Sequence, residues 1–205
     1  MLVLSPTSNN LKKAAKLLKE NKLVAFPTET VYGVGCTYKS IKAYKALNKL
    51  KRRTPNKPYT LMLGSIHEIK KFAKLNQKTT KFINKVLPGS VTLLLKVKPN
   101  LPKYLSKDGI IGIRVPDYKL TLSLLKLSGP LLVPSLNRTN KEPLNEINKI
   151  KKEFAGELDA VINAKIKKDK PSTVLLISDK IKVIREGKIP SKKLIEVYNK
   201  LWKLP

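Results

Sequence analysis

Leu23-Val24-Ala25-Phe26-Pro27-Thr28-Glu29-Thr30-Val31-Tyr32-Gly33-Val34-Gly35 changes character at Pro27. Four apolar residues ended by a proline predict a short buried strand, since proline donates no ladder hydrogen bond. Residues 28–35 then carry two threonine hydroxyls, a carboxylate, a phenol and two glycines. In α/β sheets, ligands sit just beyond the strand ends. By itself the stretch reads equally well as a ligand loop and as a turn whose threonines satisfy local amides.

Working outward, the same alternation recurs. Leu11, Ala14, Ala15 and Leu18 predict an amphipathic helix over about 10–20. A helix capped by Ser40 runs to about Leu50, Thr60–Leu63 forms a strand, and the box Ser65-Ile66-His67-Glu68 opens another helix before Pro88-Gly89. Val91–Val97 and Ile110–Val115 read as strands. Leu120–Leu127 is helical, Leu131–Val133 a strand, and Glu146–Phe154 a helix with Asn145 as a possible cap. Val161-Ile162, Thr173–Ile177 and Lys182–Ile184 are strands, and Ser191 caps a last helix ending near Trp202. Interspersed strands and helices, with no repeat and no long linker, predict one α/β domain over 1–205 with a mixed sheet.

Composition narrows the chemistry. The 205 residues are 41% hydrophobic, with no apolar run long enough to span a membrane and no signal-peptide pattern, so a cytoplasmic protein is expected. Cys36 is the only cysteine and His67 the only histidine. A disulfide framework, a cysteine metal site and histidine triads are therefore excluded. The net charge of +29 attracts polyanions, although a general lysine bias explains it equally well.

Arginine is the rarer cation, present only at 52, 53, 114, 138 and 185. Where lysine is the default, arginine is expected where its planar fork is needed. Arg52 and Arg138 read as the incidental ones. Lys51-Arg52-Arg53 ends a helix and continues through Thr54-Pro55-Asn56-Lys57-Pro58, a cation cluster suited to a polyphosphate, though the helix dipole also favours cations there. Gly112-Ile113-Arg114-Val115-Pro116 puts an arginine at a strand end. With only 14 acidic residues in the chain, a ligand is favoured over an internal carboxylate as its partner. Pro134-Ser135-Leu136-Asn137, Pro171-Ser172-Thr173-Val174 and Ile184-Arg185-Glu186-Gly187 each offer polar groups at a strand boundary. Neither a G-x-x-x-x-G-K-[ST] loop nor a G-x-G-x-x-G fingerprint is present, so bound phosphates would rest on cationic side chains and loop amides.

In order and spacing these stretches resemble the YrdC-like family, which includes the threonylcarbamoyl-AMP synthases. The family pattern P-T-E-T-V-Y-G-L-G, K-x-R, P-G-x-x-T, V-R-x-P, P-S-A-N, S-T-V and R-x-G is similar to Pro27–Gly35, Lys51 and Arg53, Pro88–Thr92, Arg114–Pro116, Pro134–Asn137, Ser172–Val174 and Arg185–Gly187. Leu136 replaces the usual alanine, Arg138-Thr139-Asn140 replaces a Ser-Gly turn, and Met62 stands where some relatives carry histidine.

The resemblance implies a twisted mixed α/β sheet with flanking helices around a deep basic cavity. It implies a nucleotidyltransferase that joins L-threonine, bicarbonate and ATP, with Mg2+, into threonylcarbamoyl-AMP and pyrophosphate. That product would pass to the transferase modifying tRNA adenosine 37. Thr28, Arg114, Ser135 and Ser172 would bind threonine; Lys51, Arg53, Asn137, Asn145 and Arg185 would bind ATP. No residue is singled out as base; Glu29 is more plausible as a hydrogen-bonding residue. Two rivals stand beside this reading: a non-catalytic module binding double-stranded RNA or tRNA, and a different carbamoylating or adenylating enzyme on the same scaffold.

Overall fold

The computed structural model describes residues 1–53, 58–166, 169–178 and 180–202. The strands are β1 (Leu2–Leu4), β2 (Val24–Phe26), β3 (Gly33–Thr37), β4 (Leu61–Met62), β5 (Val91–Lys96), β6 (Ser106–Lys107), β7 (Ile110–Arg114), β8 (Leu131–Leu132), β9 (Ala160–Ile162), β10 (Thr173–Ile177) and β11 (Ile181–Arg185). The α-helices are α1 (Ser8–Lys19), α2 (Ile41–Lys51), α3 (Gln77–Val86), α4 (Lys119–Ser128), α5 (Ile147–Glu153) and α6 (Ser191–Trp202). The strands form one twisted mixed sheet in the order β1-β9-β2-β3-β8-β4-β7-β5-β10-β11, with β6 paired to β7. Parallel pairs (β4 with β7, β5 with β10) alternate with antiparallel ones (β7 with β5, β8 with β4).

Local chemistry explains the helix starts. Thr7 caps α1 by accepting from Asn10 N, Ser40 caps α2 by accepting from Ala43 N at 3.2 Å, and Asn76 caps α3 by accepting from Thr79 N at 2.8 Å. The run after Ser65 does not form one helix. Glu68 turns back onto Ser65 N, but the turn is 3-10 over Ile66–Lys71, and α3 starts afresh at its own Asn76 cap. Asn145 does not cap α5; Glu146 occupies that position, and Asn145 Oδ1 accepts from Tyr32 N at 3.0 Å. Gly33–Thr37 is a strand rather than a loop. A Cβ on Gly33 or Gly35 would stand 2.6 Å from Val133 Cγ1 or Phe26 Cε1 respectively, so these strands pack too closely for a side chain.

The strand period of two separates the faces of the sheet. Leu61, Leu63, Leu93, Leu95, Ile111, Ile113 and Leu175 face the larger core, which holds residues of α2, α3, α5 and α6. On the other face, Phe26, Met62, Leu131, Val133 and Ile162 pack with Leu11, Leu18, Leu124 and Leu125 of α1 and α4. Those two helices cover that face from β1 as far as Met62 of β4. Over β4, β7, β5 and β10 the same face is left to Thr60, Met62, Arg114, Thr92, Leu94 and Val174, which line a hollow. Among the described residues, no helix is long and apolar enough to cross a membrane. Cys36 is a core residue; burial pushes its thiol up to about 12, which leaves it protonated and unreactive.

Candidate functional site

The hollow measures about 260 Å3. Its floor is the sheet face just described, where hydroxyls of Thr60, Thr92 and Ser172 alternate with apolar Leu94, Val133 and Val174. Around it stand three of the chain's five arginines, Arg53, Arg114 and Arg185, together with Ser135. Each arginine arrives on a different element: Arg53 just past α2, Arg114 at the last residue of β7, and Arg185 at the last residue of β11.

The cations are unequally partnered. Arg114 Nη2 pairs with Glu29 Oε1 at 2.8 Å and donates to Thr30 Oγ1 at 3.1 Å, and both side chains of the ion pair are nearly buried. An internal carboxylate therefore holds Arg114, against the expectation from acid scarcity, because that carboxylate lies within the Pro27–Gly35 stretch itself. Arg114 Nε is nonetheless buried without a hydrogen-bond partner. Arg53 lies 4.6 Å from the Tyr59 ring centroid, reaches Pro58 O at 3.5 Å, and also has a buried, unpartnered Nε. Arg185 donates from Nε and Nη2 to Ser172 O at 3.2 and 2.9 Å. Burial, and then the neighbouring Arg114, lower its pKa from the ordinary arginine value. Among the described residues neither Arg53 nor Arg185 has a carboxylate partner, so this wall of the hollow is electrostatically unsatisfied and suited to an anion.

Ser172 Oγ shares a hydrogen bond of 2.9 Å with Thr92 Oγ1, which fixes both on the floor. Glu29 Oε1 also accepts from Asp117 N and Ser90 Oγ, while its Oε2 is buried without a partner. Glu29 is thus held as a structural carboxylate.

Four expected site residues lie outside the lining. Thr28 is buried in the turn after β2, where Oγ1 donates to Val31 O at 2.7 Å and accepts from the Thr30 and Val31 amides; it shapes the loop that carries Thr30. Lys51 is buried directly behind Ser135: Nζ donates to Ser135 O at 2.7 Å and to Asn137 Oδ1 at 2.6 Å. Burial first, then Arg53 and Arg138, lower Lys51 to about 8. Asn137 Oδ1 additionally accepts from Ser135 Oγ at 2.6 Å, so Lys51, Asn137 and Ser135 form one hydrogen-bonded group reaching the hollow through Ser135. Asn145 is elsewhere, bordering a separate depression with Asn163 and Lys165. Residues 54–57 of the expected cation loop lie outside the described residues. Leu136, where a smaller residue was anticipated, faces the core and does not narrow the hollow.

Sequence reasoning missed Thr30, Tyr59 and the floor positions Thr60, Thr92, Leu94 and Val174. The floor was recoverable: in Thr60-Leu61-Met62, Thr92-Leu93-Leu94 and Ser172-Thr173-Val174, alternate residues fall on the face opposite the leucine core.

A family model described as telomere recombination, the Sua5/YciO/YrdC model, matches residues 16–187. A putative threonylcarbamoyl-AMP synthase of Methanocaldococcus jannaschii is 39% identical over 189 residues, covering 89% of this chain and 90% of that protein. The threonylcarbamoyl-AMP synthase of Bacillus subtilis is 30% identical over 197 residues, covering 93% of this chain and 57% of that protein. The crystal structure of P. abyssi Sua5 complexed with L-threonine superposes with a TM-score of 0.90 at 25% identity, covering 96% of this chain and 61% of that chain. This chain thus spans less than two thirds of the B. subtilis and P. abyssi proteins. With a match over most of its length to the family model, and a relative of similar size at 39% identity, the chain belongs to the Sua5/YciO/YrdC family.

Proposed function

We propose that this protein is a threonylcarbamoyl-AMP synthase, joining L-threonine, bicarbonate and ATP and releasing pyrophosphate, in the service of tRNA adenosine 37 modification. The observation that carries the reading is the meeting of Arg53, Arg114 and Arg185 with Ser135 and Ser172 around one hollow. Relatives named for this activity, and a family member solved with L-threonine, point the same way.

At about 260 Å3 the hollow is smaller than the ~300–1,000 Å3 typical of small-molecule sites, which suits an amino acid with the triphosphate extending past its rim. Arg114, whose side chain lines the hollow, takes the threonine carboxylate, and Ser135 and Ser172 line the same pocket. Thr28 acts through the loop it shapes. Arg53 and Arg185, lacking carboxylates, take the phosphates, with Lys51 and Asn137 supporting them from behind Ser135. Asn145 is left out of this assignment.

In the reaction the threonine amine loses a proton and its nitrogen bonds to carbon dioxide formed from bicarbonate, giving an N-carboxylate. A carboxylate oxygen then bonds to the α-phosphorus while the bond to the pyrophosphate oxygen breaks, and pyrophosphate leaves with the electron pair. The nucleophile is anionic before attack, so a chain without a histidine or cysteine at the site can carry out the step. The protein's work is alignment and neutralisation of charge on the departing pyrophosphate. Mg2+ enters as MgATP. Among the described residues no group of three or more histidine, cysteine or acidic side chains is placed to hold a metal. The +29 charge suits contact with tRNA during product hand-off in a reducing cytoplasm.

The test is pyrophosphate release from purified protein given MgATP, bicarbonate and L-threonine. Release that requires all three, and that falls when serine or valine replaces threonine, is the expected result. No release under any combination removes the proposal.

A further inference from the structure

We propose that Arg138 is a positioning residue for the cations Lys51 and Arg53, fastening the end of α2 to the Ser135–Asn137 loop. The inference rests on the function proposed above and extends it to a residue that touches no substrate.

A guanidinium has five N–H donors, and every one on Arg138 is engaged. Nε donates to Glu153 Oε1 at 2.8 Å, Nη1 to Leu50 O at 2.6 Å and Glu157 Oε2 at 2.9 Å, and Nη2 to Glu153 O at 3.0 Å and Glu157 Oε1 at 2.5 Å. The group also lies 4.5 Å from the Phe154 ring centroid. Nothing is left to bind a ligand, and the side chain does not line the hollow. Two of only 14 acidic residues in a chain of net charge +29 are committed to it.

What Arg138 holds is more informative than how firmly it is held. The last carbonyls of a helix lack intrahelical partners. In α2 the last two carbonyls are taken by the segment just after Asn137: Leu50 O accepts from Arg138, and Lys51 O accepts from Thr139 N at 2.9 Å and Thr139 Oγ1 at 2.8 Å. The adjoining side chains repeat the connection, with Lys51 Nζ on Asn137 Oδ1 and Ser135 O. Backbone and side chain of Lys51 are therefore both tied to residues 135–139, and Arg53 stands two residues later at the wall of the hollow. The far side of the clamp is α5 and the turn after it. Removing the fork frees the α2 end to shift along the Ser135 loop, and the reach of Lys51 and Arg53 shifts with it.

The experiment measures MgATP binding by titration calorimetry, pyrophosphate release, and thermal melting for wild type, Arg138→Met, Lys51→Met and the double variant. Arg138→Met is expected to weaken MgATP binding and raise its KM about tenfold or more, with the KM for threonine changed less than about threefold. Lysine cannot reproduce the fork, so Arg138→Lys should not rescue. In the Lys51→Met background the Arg138→Met effect on MgATP should be clearly smaller, with the share that runs through Arg53 remaining, because Arg138 and Lys51 act in part through one element; unrelated sites would add in full. A lowered melting temperature with unchanged MgATP binding, or full additivity in the double variant, would assign Arg138 to stability alone and overturn the proposal. Should Arg138→Met fail to fold, Thr139→Val, which removes one bond to Lys51 O, is read by the same criteria. Wild type that binds MgATP but releases no pyrophosphate counts against the proposed reaction, while the binding cycle still decides the role of Arg138.

Discussion

Replacing Gly187 by alanine adds one methyl group at the place where the end of β11 crosses the start of β10. An ideal Cβ there would lie 2.3 Å from Pro171 O and 2.4 Å from both Ser172 C and Thr173 N. All three are backbone atoms, so no side chain can rotate away. Relieving the closest contact to the 3.0 Å that real Cβ atoms respect needs a displacement of roughly 0.7 Å. The methyl group stands against the segment on which Arg185 rests, since Arg185 Nη2 donates to Ser172 O at 2.9 Å. Overpacking of this kind costs about 1–3 kcal/mol. For a chain of this size that corresponds to a melting temperature lower by roughly 2–12 °C. Because a misplacement near 1 Å can cost about 100-fold in rate, pyrophosphate release per enzyme should fall on the order of tenfold or more among molecules that remain folded. Gly64→Ala is the control, since its Cβ would meet atoms no closer than 3.4 Å, ordinary van der Waals contact. Differential scanning calorimetry and a pyrophosphate assay on both variants decide the matter. If Gly187→Ala melts and turns over like Gly64→Ala, the close approach that places Arg185 beside Ser172 is wrong.

Three further outcomes are expected. Arg185→Met removes one charge-assisted contact worth about 1.5–3 kcal/mol, so kcat/KM for MgATP should drop by roughly 10–150-fold; an unchanged value contradicts its phosphate role. Lys51 is held at about 8 by burial, Arg53 and Arg138, below its ordinary 10.5, so the unfolded chain binds more protons between those values. The Lys51 contribution to stability therefore rises as pH climbs through that window and is flat below it; the wild-type minus Lys51→Met difference in unfolding free energy from pH 7 to pH 10.5 should show that slope, and a flat difference refutes it. Glu29→Gln breaks a buried ion pair and leaves Arg114 without its carboxylate, which should destabilise by about 3–5 kcal/mol in denaturant titration; a loss below about 1 kcal/mol would mean that Glu29 does not hold Arg114.

Much of this arrangement was legible in the residues, for reasons that differ from place to place. Ser40 announced α2 because a serine hydroxyl ahead of a periodic apolar run has one good use, accepting from the exposed amides of the first turn. The strands at 91–96 and 110–114 were visible as apolar runs rich in strand formers between breakers. β1 was missed because Leu2–Leu4 is too short to show a period at a chain end, and becomes a strand only by pairing with β9. β3 was read as a loop because its glycines look like turn residues, whereas here they permit close strand packing. At the site, the rarity of arginine singled out residues 53, 114 and 185, and the structure places all three around one hollow. The same scarcity reasoning failed for the partner of Arg114, because Glu29 reaches it from a distant stretch of chain. Arg138 was set aside as incidental for a related reason: its partners, Glu153, Glu157 and Leu50 O, come together only in the folded chain.

Central to the proposed chemistry is the grip of Arg53 and Arg185 on phosphates beside an amino acid held at Arg114. A crystal structure with L-threonine and a non-hydrolysable MgATP analogue measures this directly. Phosphate oxygens within about 2.7–3.2 Å of guanidinium nitrogens of Arg53 and Arg185, with the threonine carboxylate at Arg114, are the predicted result. A nucleotide bound away from the floor formed by Thr60, Thr92 and Ser172, or a triphosphate touching neither arginine, would contradict it.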